Sequence, residues 1–118
     1  MNIRKSEHGG ISALSIIGSL SQGEADEFEL ALMELHERGK TKIVIDLSEC
    51  GYITSLNLSI LLYFKKLFVA RGGDIGIVCA NNVIVDLFEK TNLNKVVRLY
   101  PTLEEALSGF RVLKGLSA

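Results

Sequence analysis

Apolar positions along the chain follow two rhythms, one of alternation and one of steps of three and four, and these set out its elements. Residues 1–20, MNIRKSEHGGISALSIIGSL, place two short strand-like runs about Gly9 and Gly10, and paired glycines tolerate the positive φ of a tight hairpin turn. Residues 22–38, QGEADEFELALMELHER, bring Ala25, Phe28, Leu32 and Leu35 onto one face with acids early and Gly39 following, which predicts an amphipathic helix. KIVIDL, residues 42–47, is β-branched and almost continuously apolar, as a covered central strand should be. A short connection, SECGYIT, then leads into a second helix over 55–70, closed by RGG at 71–73.

Three further segments continue the alternation of strand and helix. DIGIVCA predicts a fourth strand, NNVIVDLFEKTN a third helix, KVVRLY a fifth strand and TLEEALSGF a last helix, capped by Thr102 after Pro101. Residues 111–118, RVLKGLSA, are expected to form a frayed or loosely docked tail behind a domain of residues 1–110. The predicted fold class is α/β: one domain, a mixed and mostly parallel sheet of about five strands with about four helices packed on it. A length of 118 residues suits one hydrophobic core.

Charge narrows the range of partners. A net charge of −1 with scattered Lys and Arg offers no basic field for nucleic acid, and Lys65-Lys66 is too little for a polybasic membrane segment. The apolar window 58–64 ends at those lysines, short of the roughly 20 residues of a spanning helix, so no membrane insertion is expected. The start, MNIRKSEHGG, has no apolar run behind its charges and does not resemble a secretory signal; a cytoplasmic location is expected. Cys50 and Cys79 sit among apolar residues without a CxxC partner, which predicts buried, reduced thiols.

Enzyme and cofactor patterns are weak. His8 and His36 lie far apart in sequence, one beside the hairpin turn and one late in a charged helix, and suit surface positions better than a catalytic base or metal cluster. RGGDIG lacks the GxGxxG spacing and precedes a strand rather than a helix, so its glycines serve to end helix two. No metal, cofactor or catalytic residue is predicted.

The stretch GYITSLNLSILLYF, residues 51–64, carries the most information. Together with GSLS after the second strand, VIDLSEC before it and VIVDLFEKTNLNKVVRLYPTLEEAL further on, it resembles the STAS domains of the anti-sigma-factor antagonist type, over about residues 3–110. In that family the loop before the second helix reads hydrophobic-hydrophobic-Asp-Ser-Ser/Thr-Gly-Leu-Gly, and a partner serine kinase phosphorylates the serine after the aspartate. The resemblance implies Ser55 as phosphoacceptor, with Thr54 a weaker alternative. It also implies a partner that is both serine kinase and anti-sigma factor, bound by the unphosphorylated form and released by the phosphate, with a phosphatase as a further partner. The corresponding binding surface is Thr54, Ser55, Leu56, Asn57, Ser59 and Ile60.

This chain departs from the pattern at four places: Thr54 stands for the aspartate, Leu56 for the second small hydroxyl residue, Asn57 for the first glycine and Ser59 for the second. A purely local reading makes Ser55 or Thr54 an N-cap, worth on the order of 1 kcal/mol to the helix. Two other functions remain open on the sequence: a non-phosphorylated STAS adaptor docking to a transporter ATPase or signalling scaffold, and a small serine hydrolase using Ser55. At 100° per residue, Leu58, Leu61, Leu62, Phe68 and Val69 fall on one side of helix two, and Leu56, Ile60, Tyr63, Phe64 and Leu67 on the other. Leu56 and Ile60, on the first turns beside Ser55, are the expected docking patch.

Overall fold

The computed structural model describes the backbone of residues 1–117 and the side chains of residues 1–111. Strands β1 (Asn2–His8) and β2 (Ile11–Leu20) form the opening hairpin, in register from Asn2 opposite Ile17 to His8 opposite Ile11. Gly9 and Gly10, with φ of 60° and 88°, make its two-residue turn, a conformation that β-branched or bulky residues resist. After a short 3-10 turn at Gln22–Glu24 come helix α1 (Ala25–Glu37) and strand β3 (Lys42–Asp46).

One strand lies inside the stretch expected to be only a connection. Cys50–Ile53 forms β4, parallel to the outer half of β2, with Gly18 opposite Cys50 and Leu20 opposite Ile53. β2 is longer than predicted and serves two neighbours: Ser12 to Ser15 pair with β3, and a register shift between Gly18 and Leu20 turns its far end towards β4. Four residues with a central glycine give too little alternation to be distinguished from a loop. The remainder is helix α2 (Ser55–Ala70), strand β5 (Asp74–Val78), helix α3 (Asn82–Lys90), a 3-10 turn at Leu93–Lys95, strand β6 (Arg98–Tyr100) and helix α4 (Leu103–Ser117).

The sheet runs β1-β2-β3-β5-β6, with β4 off this path on β2 and every pairing parallel except the hairpin. Alternate strand residues face two cores. On one side Leu14, Ile16, Ile43, Ile45, Ile75 and Ile77 meet α1, α2 and α3 through Phe28, Leu32, Leu61, Phe64, Phe68, Ile84 and Phe88. On the other, Ile11, Ala13, Val44 and Val78 meet Ala106, Leu107 and Phe110 of α4. Each of these Val, Leu, Ile and Phe side chains contributes about 1.5–3 kcal/mol on burial, which overrides the weak helix propensity of the phenylalanines.

Helix ends follow their local chemistry. α2 stops in a Schellman motif, Gly72 N–H donating to Val69 O at 2.9 Å and Gly73 N–H to Phe68 O at 2.9 Å. Gly73 is also a close-approach position, because a Cβ there would stand 1.8 Å from Thr41 O. Thr102 Oγ1 accepts from Glu105 N–H at 3.2 Å and starts α4 as predicted, but the helix backbone continues to Ser117 through the segment expected as a tail. The docking expected of residues 112–118 concerns side chains outside those described.

Candidate functional site

The end of β4 and the start of α2 are fastened to β2 by backbone and side chain together. Ile53 is buried, and Thr54 N–H donates to Leu20 O at 3.1 Å, prolonging the ladder by one residue. Thr54 then stays extended, at φ −81° and ψ 161°, while its Oγ1 accepts from Asn57 N–H at 3.4 Å and its carbonyl accepts from Leu58 N–H at 3.0 Å. Thr54 is the N-cap. The sequence left the cap between two adjacent hydroxyls, and the structure assigns it to the first.

Ser55 is thereby the first helical residue. Its side chain is exposed and makes no hydrogen bond among the described residues, while its carbonyl accepts from the exposed Ser59 hydroxyl at 3.1 Å. The N–H groups of Ser55 and Leu56 precede the first helical hydrogen bond, so the site combines a free hydroxyl, two free donors and the positive end of the helix dipole. No acid lies in the first turn of α2 to oppose an anion there.

Asn57 corrects the predicted binding surface. It is fully buried, and its amide Nδ2 donates towards Thr54 Oγ1 at 2.8 Å, Ser21 O at 2.9 Å and Leu20 O at 3.1 Å. A buried side chain has nothing to offer a partner; this one ties the first turn of α2 to the end of β2. On the same β2–α1 connection, Ser21 Oγ donates to Glu24 Oε2 and steadies the entry to α1.

The rest of the predicted patch divides by exposure. Leu56 is 45% exposed, whereas Ile60 is half-buried against the core. Of the two apolar stripes of helix two, Phe64 is buried beside Phe68 at 6.3 Å between ring centroids, whereas Val69, on the other stripe, is exposed. α1 lies beside α2 and the sheet lies beneath it, so the buried sector of α2 draws on both stripes, through Asn57, Leu58, Leu61, Phe64 and Phe68.

The sequence did not single out Tyr52 and Val83. Tyr52 is 52% exposed and Val83 61% exposed, and both line a groove of about 280 Å³ between the end of β4 and α3, shared with Asp86, Leu87 and Lys90. Helical spacing could have identified Val83, since Ile84 and Phe88 point inwards and leave it outside. Tyr52 could be read only once Cys50 and Ile53 were known to be the inward residues of a strand.

The cysteines and histidines have structural surroundings. Cys50 and Cys79 are free and buried, and burial pushes the Cys79 thiol above its ordinary value. Asn81 Nδ2 donates to Cys50 O at 3.3 Å, and Asn81 Oδ1 accepts from Val83 N–H at 2.8 Å as the cap of α3. His8 pairs with Ser6 at 2.8 Å on β1, and His36 stands edge-on to Phe68, more than three turns along α2 from Ser55. Among the described residues no group of three or more His, Cys, Asp or Glu is placed to hold a metal ion, and no helix is long and apolar enough to cross a membrane.

The fold has clear relatives among known proteins. The STAS domain family model matches residues 2–106. The anti-sigma-F factor antagonist RsfB of Mycobacterium tuberculosis is 30% identical over 111 residues, covering 94% of this chain and 90% of the relative. The crystal structure of an anti-sigma factor antagonist from Mycobacterium paratuberculosis superposes with a TM-score of 0.86 at 28% identity, covering 93% of each chain. An anti-sigma-factor antagonist (STAS) domain protein from Planctomyces limnophilus, at 18% identity and a TM-score of 0.81 over 92% of this chain and 96% of its own, shares the fold. The chain belongs to the STAS domain family, among the anti-sigma factor antagonists.

Proposed function

We propose that the protein is a non-enzymatic switch in a bacterial partner-switching pathway, acting in the cytoplasm on transcription. Its unphosphorylated form binds an anti-sigma factor that is also a serine kinase, phosphorylation of Ser55 releases that partner, and a phosphatase resets the site. The observation that carries this reading is the division of labour at α2: Thr54 caps the helix, leaving the Ser55 hydroxyl exposed and uncommitted. A phosphate on Ser55 would meet free N–H groups and the helix dipole, so the fold can accept it. The same phosphate places close to two negative charges beside exposed Leu56, where a partner would have to desolvate them. Binding is switched and the fold is kept.

A second reading, a non-phosphorylated adaptor docking to a transporter ATPase or scaffold, is favoured by one feature. Thr54 stands where the family has an acid and turns its hydroxyl towards Asn57, so no carboxylate marks the acceptor for a kinase. A hydrolase reading has less support, because both histidines are engaged away from Ser55. Incubation with ATP and serine-kinase fractions of the source cell, followed by mass-spectrometric mapping, separates the first two. Phosphate on Ser55, retained in Thr54→Ala and absent in Ser55→Ala, is expected; a chain that stays unmodified and copurifies with a transporter ATPase overturns the proposal.

A further inference from the structure

A second surface lies on α1 and the neighbouring face of α2. Leu30 and Tyr63, each 58% exposed, border two shallow hollows: one along α1, lined by Asp26, Glu29, Leu30 and Met33, and one between α1 and α2, lined by Glu29, Ser59, Ile60, Tyr63 and Phe64. These hollows, about 280 and 310 Å³, adjoin at Glu29, which lines both, and we treat them as two stretches of one shallow trough. Along α1, Asp26 to Met33 span about 10 Å, which is two turns of a partner helix.

The charge of the rim selects the occupant. α1 carries five acids and no Lys or Arg between Ala25 and Glu37. Glu34 is answered by Lys5 of β1 at 3.0 Å, whereas Asp26 and Glu29, on the groove, enter none of the salt bridges among the described residues. No basic residue lines either stretch of the trough. A second copy docking face to face would bring Asp26 and Glu29 against their own counterparts, an unfavourable meeting of like charges.

We propose that this groove receives a basic amphipathic helix of another protein, its apolar stripe between Leu30 and Tyr63 and its Lys or Arg side chains against Asp26 and Glu29. Helix-in-groove binding of this kind uses apolar anchors at i, i+3, i+4 and i+7, which matches two turns of contact. The surface adjoins the mouth of α2 through Ser59 and Ile60 but does not include the Ser55 hydroxyl, and its occupancy does not require phosphorylation.

The test titrates the isotopically labelled full chain, by amide chemical-shift mapping, with a synthetic peptide of about 18 residues. The peptide carries leucines at those spacings and lysines elsewhere, and its analogue has glutamate for every lysine. The lysine peptide is expected to give saturable shifts at Leu30, Met33, Ile60 and Tyr63, weakened at least about tenfold by Leu30→Ser or Tyr63→Ser. Both positions are exposed, so circular dichroism should show these variants folded. Asp26→Lys with Glu29→Lys should reverse the preference towards the glutamate peptide. Shifts elsewhere, no saturable binding, or equal binding of both peptides by the native chain would overturn the proposal. So would dimerisation through the same residues without peptide, which would assign the groove to a second copy.

Discussion

Asn57 Nδ2 lies 2.8 Å from Thr54 Oγ1, so the residue that caps α2 is itself held by a buried amide from the next turn. Neither residue belongs to the family's loop pattern, where an aspartate and a glycine are expected, and the two replacements form one unit. The threonine accepts from Asn57 twice, through the backbone N–H and the side chain, and Asn57 reaches on to Ser21 O and Leu20 O. Ser55, between them in sequence, is left outside this network.

That arrangement separates the two hydroxyls energetically. Thr54→Ala removes the cap and one acceptor of Asn57 and should cost about 1–2 kcal/mol. Ser55→Ala removes an exposed hydroxyl with no partner and should change stability by less than about 0.5 kcal/mol. Urea denaturation of the two variants beside the native chain checks the contrast.

Asn57→Gly restores the family's residue and should nevertheless destabilise. It deletes the contacts to Leu20 O, Ser21 O and Thr54 Oγ1 and adds the helix penalty of glycine, for a combined loss of about 2–4 kcal/mol. The unpartnered Oδ1 of Asn57 among the described residues offsets part of that, which favours the lower half of the range. A midpoint in urea unchanged from native would show that the amide network adds nothing to packing.

These two positions also mark how far sequence reasoning reaches. The span of α2 was legible at both ends, because a hydroxyl pair at its start and RGG at its stop are local signals, and the strand-helix order followed from periodicity. β4 was not legible, since Cys50 and Ile53 become a strand only by pairing with Gly18 and Leu20, more than thirty residues earlier. The inward turn of Phe64 depends on α1 lying beside α2, which no property of helix two alone reveals. Asn57 was assigned to the binding surface by its place in the family's loop pattern, and only the carbonyls of Leu20 and Ser21 explain its burial. Tyr52 and Val83 were missed because their exposure follows from which neighbours turn inwards.

Leu56 and Ile60 should now behave differently. Leu56→Asp, at an exposed first-turn position, is expected to leave stability within about 0.5 kcal/mol of native while weakening partner binding. Ile60→Asp places a carboxylate partly against the core and should cost about 1–3 kcal/mol, losing binding through unfolding as well. Thermal melts paired with a binding assay distinguish the two; equal destabilisation would mean that Leu56 is a packing residue.

The buried thiols predict a pH effect of definite sign. Burial raises the folded-state pKa of Cys79 above the ordinary 9.0, so the unfolded chain loses its proton first as the solution becomes alkaline. Cys79 therefore contributes a loss of stability that sets in as pH rises past the unfolded value, and none at neutral pH. Urea midpoints at neutral and alkaline pH, compared between the native chain and Cys79→Ala, should diverge less in the variant. In the native state both thiols should react slowly with a thiol reagent, and unfolding should release two equivalents, one from each free cysteine.

The most direct test of the switch is the affinity of the chain for its anti-sigma partner, measured by calorimetry with and without phosphate on Ser55. Tight binding of the unphosphorylated chain, and a weakening of at least about a hundredfold on phosphorylation with the circular dichroism unchanged, is the predicted result. Equal affinity of the two forms would contradict it, and would leave the mouth of α2 as a binding edge without a switch.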